Sequence, residues 1–238
     1  MQVYHSLKEF PRQKEAALTL GNFDGVHRGH QWLLYRLKKL HLPTIVVTFA
    51  NHPMTIFHPQ KKYLTLITLP HKLRMLEKMG IDFVLLLPFT KEMSQKPYDL
   101  FLKELKKYTG FTHLVLGKQS SFGKNREGVQ QKVCTLQDEI GFRAHYIEKK
   151  RSQNRFLSTS QIKQKVLTGD IAAIEIALGA TYTIYLENPK QLDLLLLPPD
   201  GRYRVSTLDK ELEITIAQGK ISPSMEYPID MQFHSSSG

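Results

Sequence analysis

Apolar positions follow two alternating rhythms over roughly the first 150 residues. Short continuous runs are separated by longer stretches with helical spacing. AALTL, residues 16–20, is an apolar run ending at Gly21 and predicts a buried strand. GHQWLLYRLKKL then places Trp32, Leu33, Leu37 and Leu40 at helical spacing. PTIVVTF, 43–49, is β-branched and predicts a second strand. LPHKLRMLEKMG predicts a helix stopped by Gly80, and DFVLLLPF a third strand. YDLFLKELKKYTG predicts a helix with Gly110 beyond its end, and THLVLG a fourth strand. VQQKVCTLQDEIG predicts one further helix and RAHYIEK a fifth strand.

Strands alternating with helices of this length predict an α/β fold, a doubly wound parallel sheet covered on both faces. Ligands of such sheets bind beyond the carboxyl ends of the strands, near the point where strand order reverses. LSTSQIKQKVLTGD and IAAIEIALGA continue as two short helical segments. From Tyr182 the rhythm changes. TYTIYL, RYRVSTL, LEITIAQG and YPIDMQFH are short alternating runs between Pro, Gly and Asp turns, so 181–238 reads as a small β region after a domain spanning 1–180. The final HSSSG reads as a frayed end.

Charge divides along the same line. Residues 1–180 carry 28 Lys and Arg against 14 Asp and Glu, whereas 181–238 carry 5 against 8. The first part therefore suits anionic partners. No nucleic-acid motif accompanies that charge, so nucleotides are expected rather than nucleic acid. The one cysteine, Cys134, can form no internal disulfide, consistent with a reducing compartment. The first residues lack the apolar core of a secretory signal, and LDLLLLPP is too short to span a bilayer. A soluble, cytoplasmic protein without a membrane partner is the expectation.

Candidate chemistry concentrates at GNFDGVHRGH, residues 21–30. Glycines at 21, 25 and 29 allow close approach of backbone to a ligand. His27 and His30 are three apart, so with Gly29 opening a helix both can face one ligand. The positive end of that helix favours an anion such as a triphosphate. Two histidines suit charge developing on phosphate oxygens, and are too few for a metal centre. Asp24 caps a turn equally well by accepting backbone N–H groups.

GNFDGVHRGH resembles the nucleotide-binding motif in the adenylyltransferase domain of bacterial FAD synthetases, part of the wider H-x-G-H nucleotidyltransferase superfamily with its Rossmann-like fold. Four further segments resemble that family in the same order, over about residues 1–186. VVTFANHP resembles V-V-T-F-x-P-H-P, with Asn51 where proline is usual. LTLITLPHKLRMLEKMGIDFVLLLPFT resembles the stretch running L-T-x-x-x-x-K, then G-V-D and F-T. LVLGKQSSFGKNREG resembles G-x-D/N-F-x-F-G-x-x-R-x-G, and LSTSQIKQKVLTGD resembles I-S-S-T-x-I-R followed by G-D.

The resemblance implies that His27 and His30 bind ATP phosphates and stabilise the transition state. It implies nucleotide contacts from Gly21, Asn22, Phe23, Asp24 and Gly29, and from Ser158, Thr159, Ser160 and Lys163 on the opposite side of the triphosphate. Lys163 stands where the family has arginine; it keeps the charge and loses the bidentate fork. Ser158, Thr159 and Ser160 read equally as a helix N-cap. His52, Gln119, Phe122 and Arg126 are the implied flavin contacts. Gln119 replaces Asp or Asn, and Ser120 replaces an aromatic ring.

The tail departs further from bacterial FAD synthetases, which commonly carry a C-terminal riboflavin kinase barrel. The chain passes from LENPKQLD directly to LLLLPPDGRYRV, which resembles a later barrel strand. The glycine-rich loop and P-T-A-N motif expected between them are missing. The resemblance therefore implies an FMN adenylyltransferase, with ATP and FMN as substrates, Mg²⁺ arriving with ATP, and a degenerate kinase-like tail without kinase activity. Transfer to another phosphorylated acceptor, and binding without turnover, are the alternative expectations.

Overall fold

The computed structural model describes residues 1–148 and 158–234. In chain order its elements are β1 (Gln2–Tyr4), β2 (Ala17–Leu20), α1 (Arg28–Lys38), β3 (Thr44–Phe49), α2 (Met54–Phe57), α3 (Leu69–Lys78), β4 (Phe83–Leu87), α4 (Lys91–Gln95), α5 (Tyr98–Thr109), β5 (His113–Gly117), α6 (Gln130–Cys134), α7 (Gln137–Ile140), β6 (Arg143–Ile147), α8 (Thr159–Leu167), α9 (Ile171–Leu178), β7 (Thr183–Leu186), β8 (Gly201–Ser206), β9 (Glu211–Ala217), β10 (Lys220–Ser222) and β11 (Ile229–Phe233). They form two compact units. One comprises residues 1–22, 30–61 and 77–150; the other comprises 23–29, 62–76 and 151–238.

The first unit holds a six-stranded, all-parallel sheet in the order β1-β4-β3-β2-β5-β6. β2 pairs with β3 on one side and β5 on the other, so strand order reverses beside it. The carboxyl end of β2, at Gly21 and Asn22, is thus the switch point of a doubly wound sheet. The four inner strands, β2 to β5, are near-continuous runs of mostly buried side chains, as expected of strands covered on both faces. α5 illustrates the packing: Phe101, Leu102 and Leu105 are buried in one cluster with Leu18, Ile45, Leu85 and Leu114. It ends at Gly110, which adopts the left-handed conformation at φ 74°.

The single helix expected over 129–141 is two short ones, α6 and α7. The Gln137 side chain explains the break: its amide donates to the Cys134 carbonyl at 3.1 Å, and its oxygen accepts from the Ala144 N–H at 2.6 Å. This side chain competes with the helical ladder and ties the chain to β6 instead. Four short elements, β1, α2, α4 and β10, had no periodic signal because each is only three to five residues long.

The second unit holds an antiparallel sheet in the order β10-β9-β8-β11-β7. β9 alternates cleanly, with Ile214 and Ile216 buried and Glu213 and Thr215 exposed. Its inward residues join Tyr182, Ile184, Leu186, Val205, Met231 and Phe233 among the buried side chains. α8 and α9 belong to this unit, as does the segment 62–76, which includes α3 up to Leu76. That segment is stitched to the sheet region. The Thr65 N–H donates to the Leu194 carbonyl, the Leu196 N–H donates to the Thr65 carbonyl, each at 2.8 Å, and the Thr68 hydroxyl donates to the Tyr185 carbonyl at 2.9 Å. Arg74 lies 4.1 Å over the Tyr185 ring and pairs with Asp230 at 3.0 Å. Of the end expected to fray, His234 is tied down, its N–H donating to the Arg204 carbonyl at 3.1 Å, and 235–238 lie outside the described residues, as do 149–157, which include the end of RAHYIEK and the start of LSTSQIKQKVLTGD. Among the described residues no helix is long and apolar enough to cross a membrane.

Candidate active site

The chain leaves β2 through Gly21, whose N–H donates to the Val47 carbonyl at 3.0 Å. Asn22 is held by its carbonyl, which accepts from the Thr48 hydroxyl at 3.3 Å. The next residues bend sharply. Phe23 and Val26 have φ of 52° and 37°, and Gly25 has φ of 83°. Phe23 and Val26 are both buried, at 1% and 0% exposure. Left-handed backbone at a bulky residue stores strain that the surroundings must hold in place, and such strain concentrates at functional sites. Gly25 is required twice over. Its φ favours glycine, and a Cβ there would lie 2.8 Å from Leu66 Cδ1.

His27 follows the bend and precedes α1. It is 9% exposed, and its Nδ1 accepts the Gly29 N–H at 3.2 Å. A neutral imidazole accepting at Nδ1 carries its proton on Nε2, so that nitrogen is the donor of the ring. Gly29 permits this closeness, since a Cβ there would lie 3.1 Å from the ring. The Gly29 N–H therefore serves the histidine. His30 is half-buried in the first turn of α1. His27 belongs to the second unit and His30 to the first, so the chain crosses between units inside this motif.

Asp24 organises the 23–29 turn within the second unit. Only 4% exposed, it accepts the Leu66 N–H at 2.7 Å through Oδ1 and pairs with Lys163 Nζ at 3.1 Å through Oδ2. Lys163 also donates to the Leu64 carbonyl at 2.6 Å and lies 4.0 Å over the Tyr63 ring. The Thr159 hydroxyl reaches the Asp24 carbonyl oxygen at 3.5 Å. A third charge bears on Asp24. Lys72, on α3, is 7% exposed, and burial lowers its pKa to about 8 against the opposing pull of Asp24. Sequence reasoning missed Lys72 as a site residue. The available signal was a lysine four residues before Leu76, on the buried face of its helix.

The remaining expected residues are placed as follows. Ser158 caps α8 in a reciprocal box with Gln161, and its hydroxyl lies 2.9 Å from that of Ser160. His52 Nδ1 accepts the Met54 N–H at 3.2 Å at the start of α2. Asn51, which departs from the family proline, bonds the Phe89 backbone twice, donating to its carbonyl at 2.9 Å and accepting its N–H at 2.8 Å. Gln119 is exposed in the loop after β5. Phe122 is 9% exposed, in the first unit's core, with its ring edge-on to Phe101. Arg126 is exposed, and its Nε donates to the Ser121 hydroxyl at 2.9 Å. Among the described residues no group of three or more His, Cys, Asp or Glu side chains could hold a metal ion.

Residues 9–161 match the family model described as FAD synthetase. The chain belongs to the FAD synthetase family. It is 31% identical over 185 residues to the bifunctional riboflavin kinase/FMN adenylyltransferase of Escherichia coli (strain K12), covering 76% of this chain and 59% of that protein. It is 30% identical over 177 residues to the protein of that name from Haemophilus influenzae, covering 71% and 56%. The chain thus spans less than two thirds of the length of these relatives. A solved structure titled as a macrolide-efflux protein from Streptococcus pneumoniae superposes with a TM-score of 0.76 at 19% identity, covering 98% of this chain and 84% of that one. That likeness speaks to the fold alone. The FAD synthetase match takes in both histidines, Asp24 and Lys72, and ends within α8 two residues before Lys163.

Proposed function

We propose that this FAD synthetase family member transfers the adenylyl group of ATP to FMN, giving FAD and pyrophosphate. The observation that carries the reading is the strained Phe23–Val26 bend, which sets His27 against the Gly29 N–H at the start of α1. In the reaction an FMN phosphate oxygen attacks the α-phosphorus in line. A P–O bond to FMN forms as the bond to the β-phosphate bridging oxygen breaks, and pyrophosphate leaves with that electron pair. The protein's work is positioning and charge stabilisation. His27 and His30 donate to non-bridging oxygens, and Lys163 with the start of α8 supplies positive field from a second element. Gly21, Asn22, Phe23, Asp24 and Gly29 shape the nucleotide turn, while Ser158, Thr159 and Ser160 set the N-terminus of α8. His52, Gln119, Phe122 and Arg126 are proposed flavin-side residues, the Phe122 ring packing edge-on to Phe101. Mg²⁺ arrives with ATP and neutralises phosphate charge, held chiefly by phosphate and water.

Residues 1–180 are proposed as the adenylyltransferase domain and 181–238 as a kinase-like remnant without riboflavin kinase activity. We place the protein in the cytoplasm, without nucleic acid or membrane as partner. The test is adenylyl transfer from labelled ATP to a panel of phosphorylated acceptors. Label entering FMN selectively supports the reading; label entering another acceptor in preference points to the related transferase; ATP binding without transfer to any acceptor points to a non-catalytic relative.

A further inference from the structure

We propose that Arg28 is a positioning residue for His27: its side chain, laid across Gly179 at the end of α9, fixes the direction in which the neighbouring imidazole is presented to the nucleotide. This rests on the nucleotide-binding reading above, though not on the identity of the acceptor. The turn 23–29 and α9 belong to one unit, and the end of α9 meets the turn at two points. Leu178, buried at 8% exposure, backs Gly25, where a Cβ would lie 3.7 Å from Leu178 Cδ2. Gly179, the next residue, backs Arg28. A Cβ at Gly179 would lie 2.8 Å from Arg28 Nε and 2.9 Å from its Cγ. Those atoms sit in the middle of the side chain, so swinging its tip aside would not clear them. The two contacts bracket Val26 and His27.

The end of α9 is a firm support. Gly179 closes the helix in the left-handed conformation at φ 72°, its N–H donating to the Glu175 carbonyl at 2.7 Å. The Glu175 side chain accepts the Tyr182 N–H at 3.2 Å, and Tyr182 is 2% exposed, so the last turn of α9 is tied to the chain entering β7. At the other end of α9, the Asp170 side chain accepts the Ala173 N–H at 3.1 Å. Charge favours the same placement. Arg28 opens α1, where a cation meets the positive end of its own helix dipole. Laid over Gly179, its side chain meets the negative end of the α9 dipole instead. The residue is exposed, so little folding stability rests on it. What it secures is local. The bend before it holds Phe23 and Val26 at positive φ, and a strained bend keeps its shape only where its surroundings hold it. Asp24 ties the near side of the bend to Leu66, and Arg28 ties the far side to α9.

The experiment uses the full chain carrying Arg28→Ala, Arg28→Lys, Gly179→Ala, or Arg28→Ala with Gly179→Ala. It measures adenylyl transfer from ATP to FMN, ATP affinity by calorimetry, and the His27 ring resonances by NMR. Arg28→Ala is expected to lower kcat about tenfold, keep the ATP Kd within about twofold and shift the His27 resonances, because a misaimed donor costs most where charge develops in the transition state. Arg28→Lys, which keeps a stem and a charge, is expected to recover most of the rate. Gly179→Ala is expected to lower kcat more in the otherwise intact chain than beside Arg28→Ala, where the side chain it displaces is already gone. Unchanged kcat in Arg28→Ala, no recovery in Arg28→Lys, or an equal cost of Gly179→Ala in both backgrounds overturns the proposal. A loss of ATP affinity as large as the loss of kcat also overturns it, by making Arg28 a phosphate ligand. Where Gly179→Ala does not fold, the two Arg28 variants decide. Where the wild type binds ATP and forms no FAD, the acceptor assignment fails, and unshifted His27 resonances in Arg28→Ala overturn this proposal separately.

Discussion

Asp24 and Lys163 lie 139 positions apart in the chain and meet at 3.1 Å, with side-chain exposures of 4% and 15%. The pair joins the turn after β2 to the helix opened by Ser158, two motifs that sequence reasoning could assign only separately. Asp24 also accepts a backbone N–H from Leu66, 42 positions along the chain.

Removing this carboxylate is therefore costly. Asp24→Ala leaves the Lys163 ammonium without this carboxylate and the Leu66 N–H without that acceptor. The expected loss is about 3–5 kcal/mol of folding stability by urea unfolding. Asp24→Asn keeps an oxygen for Leu66 and loses less. Equal stability of wild type and Asp24→Ala would contradict the geometry.

Lys72 gives a pH signature with a definite sign. Its folded pKa of about 8 lies below the ordinary 10.5, so between those values the unfolded chain binds more protons. Stability contributed at this residue rises with pH across that window, and the penalty is fully present below pH 8. Lys72→Met removes the penalty and is expected to be more stable at pH 7 by up to about 3 kcal/mol, with the advantage shrinking toward pH 10. An advantage independent of pH would contradict the assignment.

Asn51 replaces a family proline and makes two hydrogen bonds to the Phe89 backbone. Asn51→Ala is expected to lower stability by about 1–2 kcal/mol. Hydrogen exchange checks the site directly, with faster exchange expected at the Phe89 amide. Unchanged exchange would mean that the loop is held by other contacts.

The parallel sheet is legible in the sequence because four of its strands, β2 to β5, are mostly apolar runs, and buried strands need apolar side chains on both faces. β1 escapes notice because three residues with one fully apolar side chain carry no periodicity; its pairing with β4 fixes it. The histidines and the turn glycines are legible because local backbone demands dictate residue type. Lys72 is not. Its meaning depends on Asp24, 48 positions earlier, and a lone lysine on a helix face reads as a solvated stem. The grouping of 62–76 and of α8–α9 with the antiparallel sheet is likewise invisible to local pattern, since long-range bonds such as Thr68 to Tyr185 create it.

The tail makes its own prediction. The expected product from riboflavin and ATP is none, because the glycine-rich loop and P-T-A-N motif are missing between LENPKQLD and LLLLPPDG. FMN appearing in such an incubation would contradict the proposed loss of kinase activity.

The central claim is tested most directly by incubating the protein with ATP, Mg²⁺ and FMN and resolving the flavins by chromatography. FAD is the predicted product, lost in a folded His27→Ala, His30→Ala double variant. ATP binding without FAD across a range of pH and divalent metals, or FAD formed undiminished by the double variant, would contradict the account.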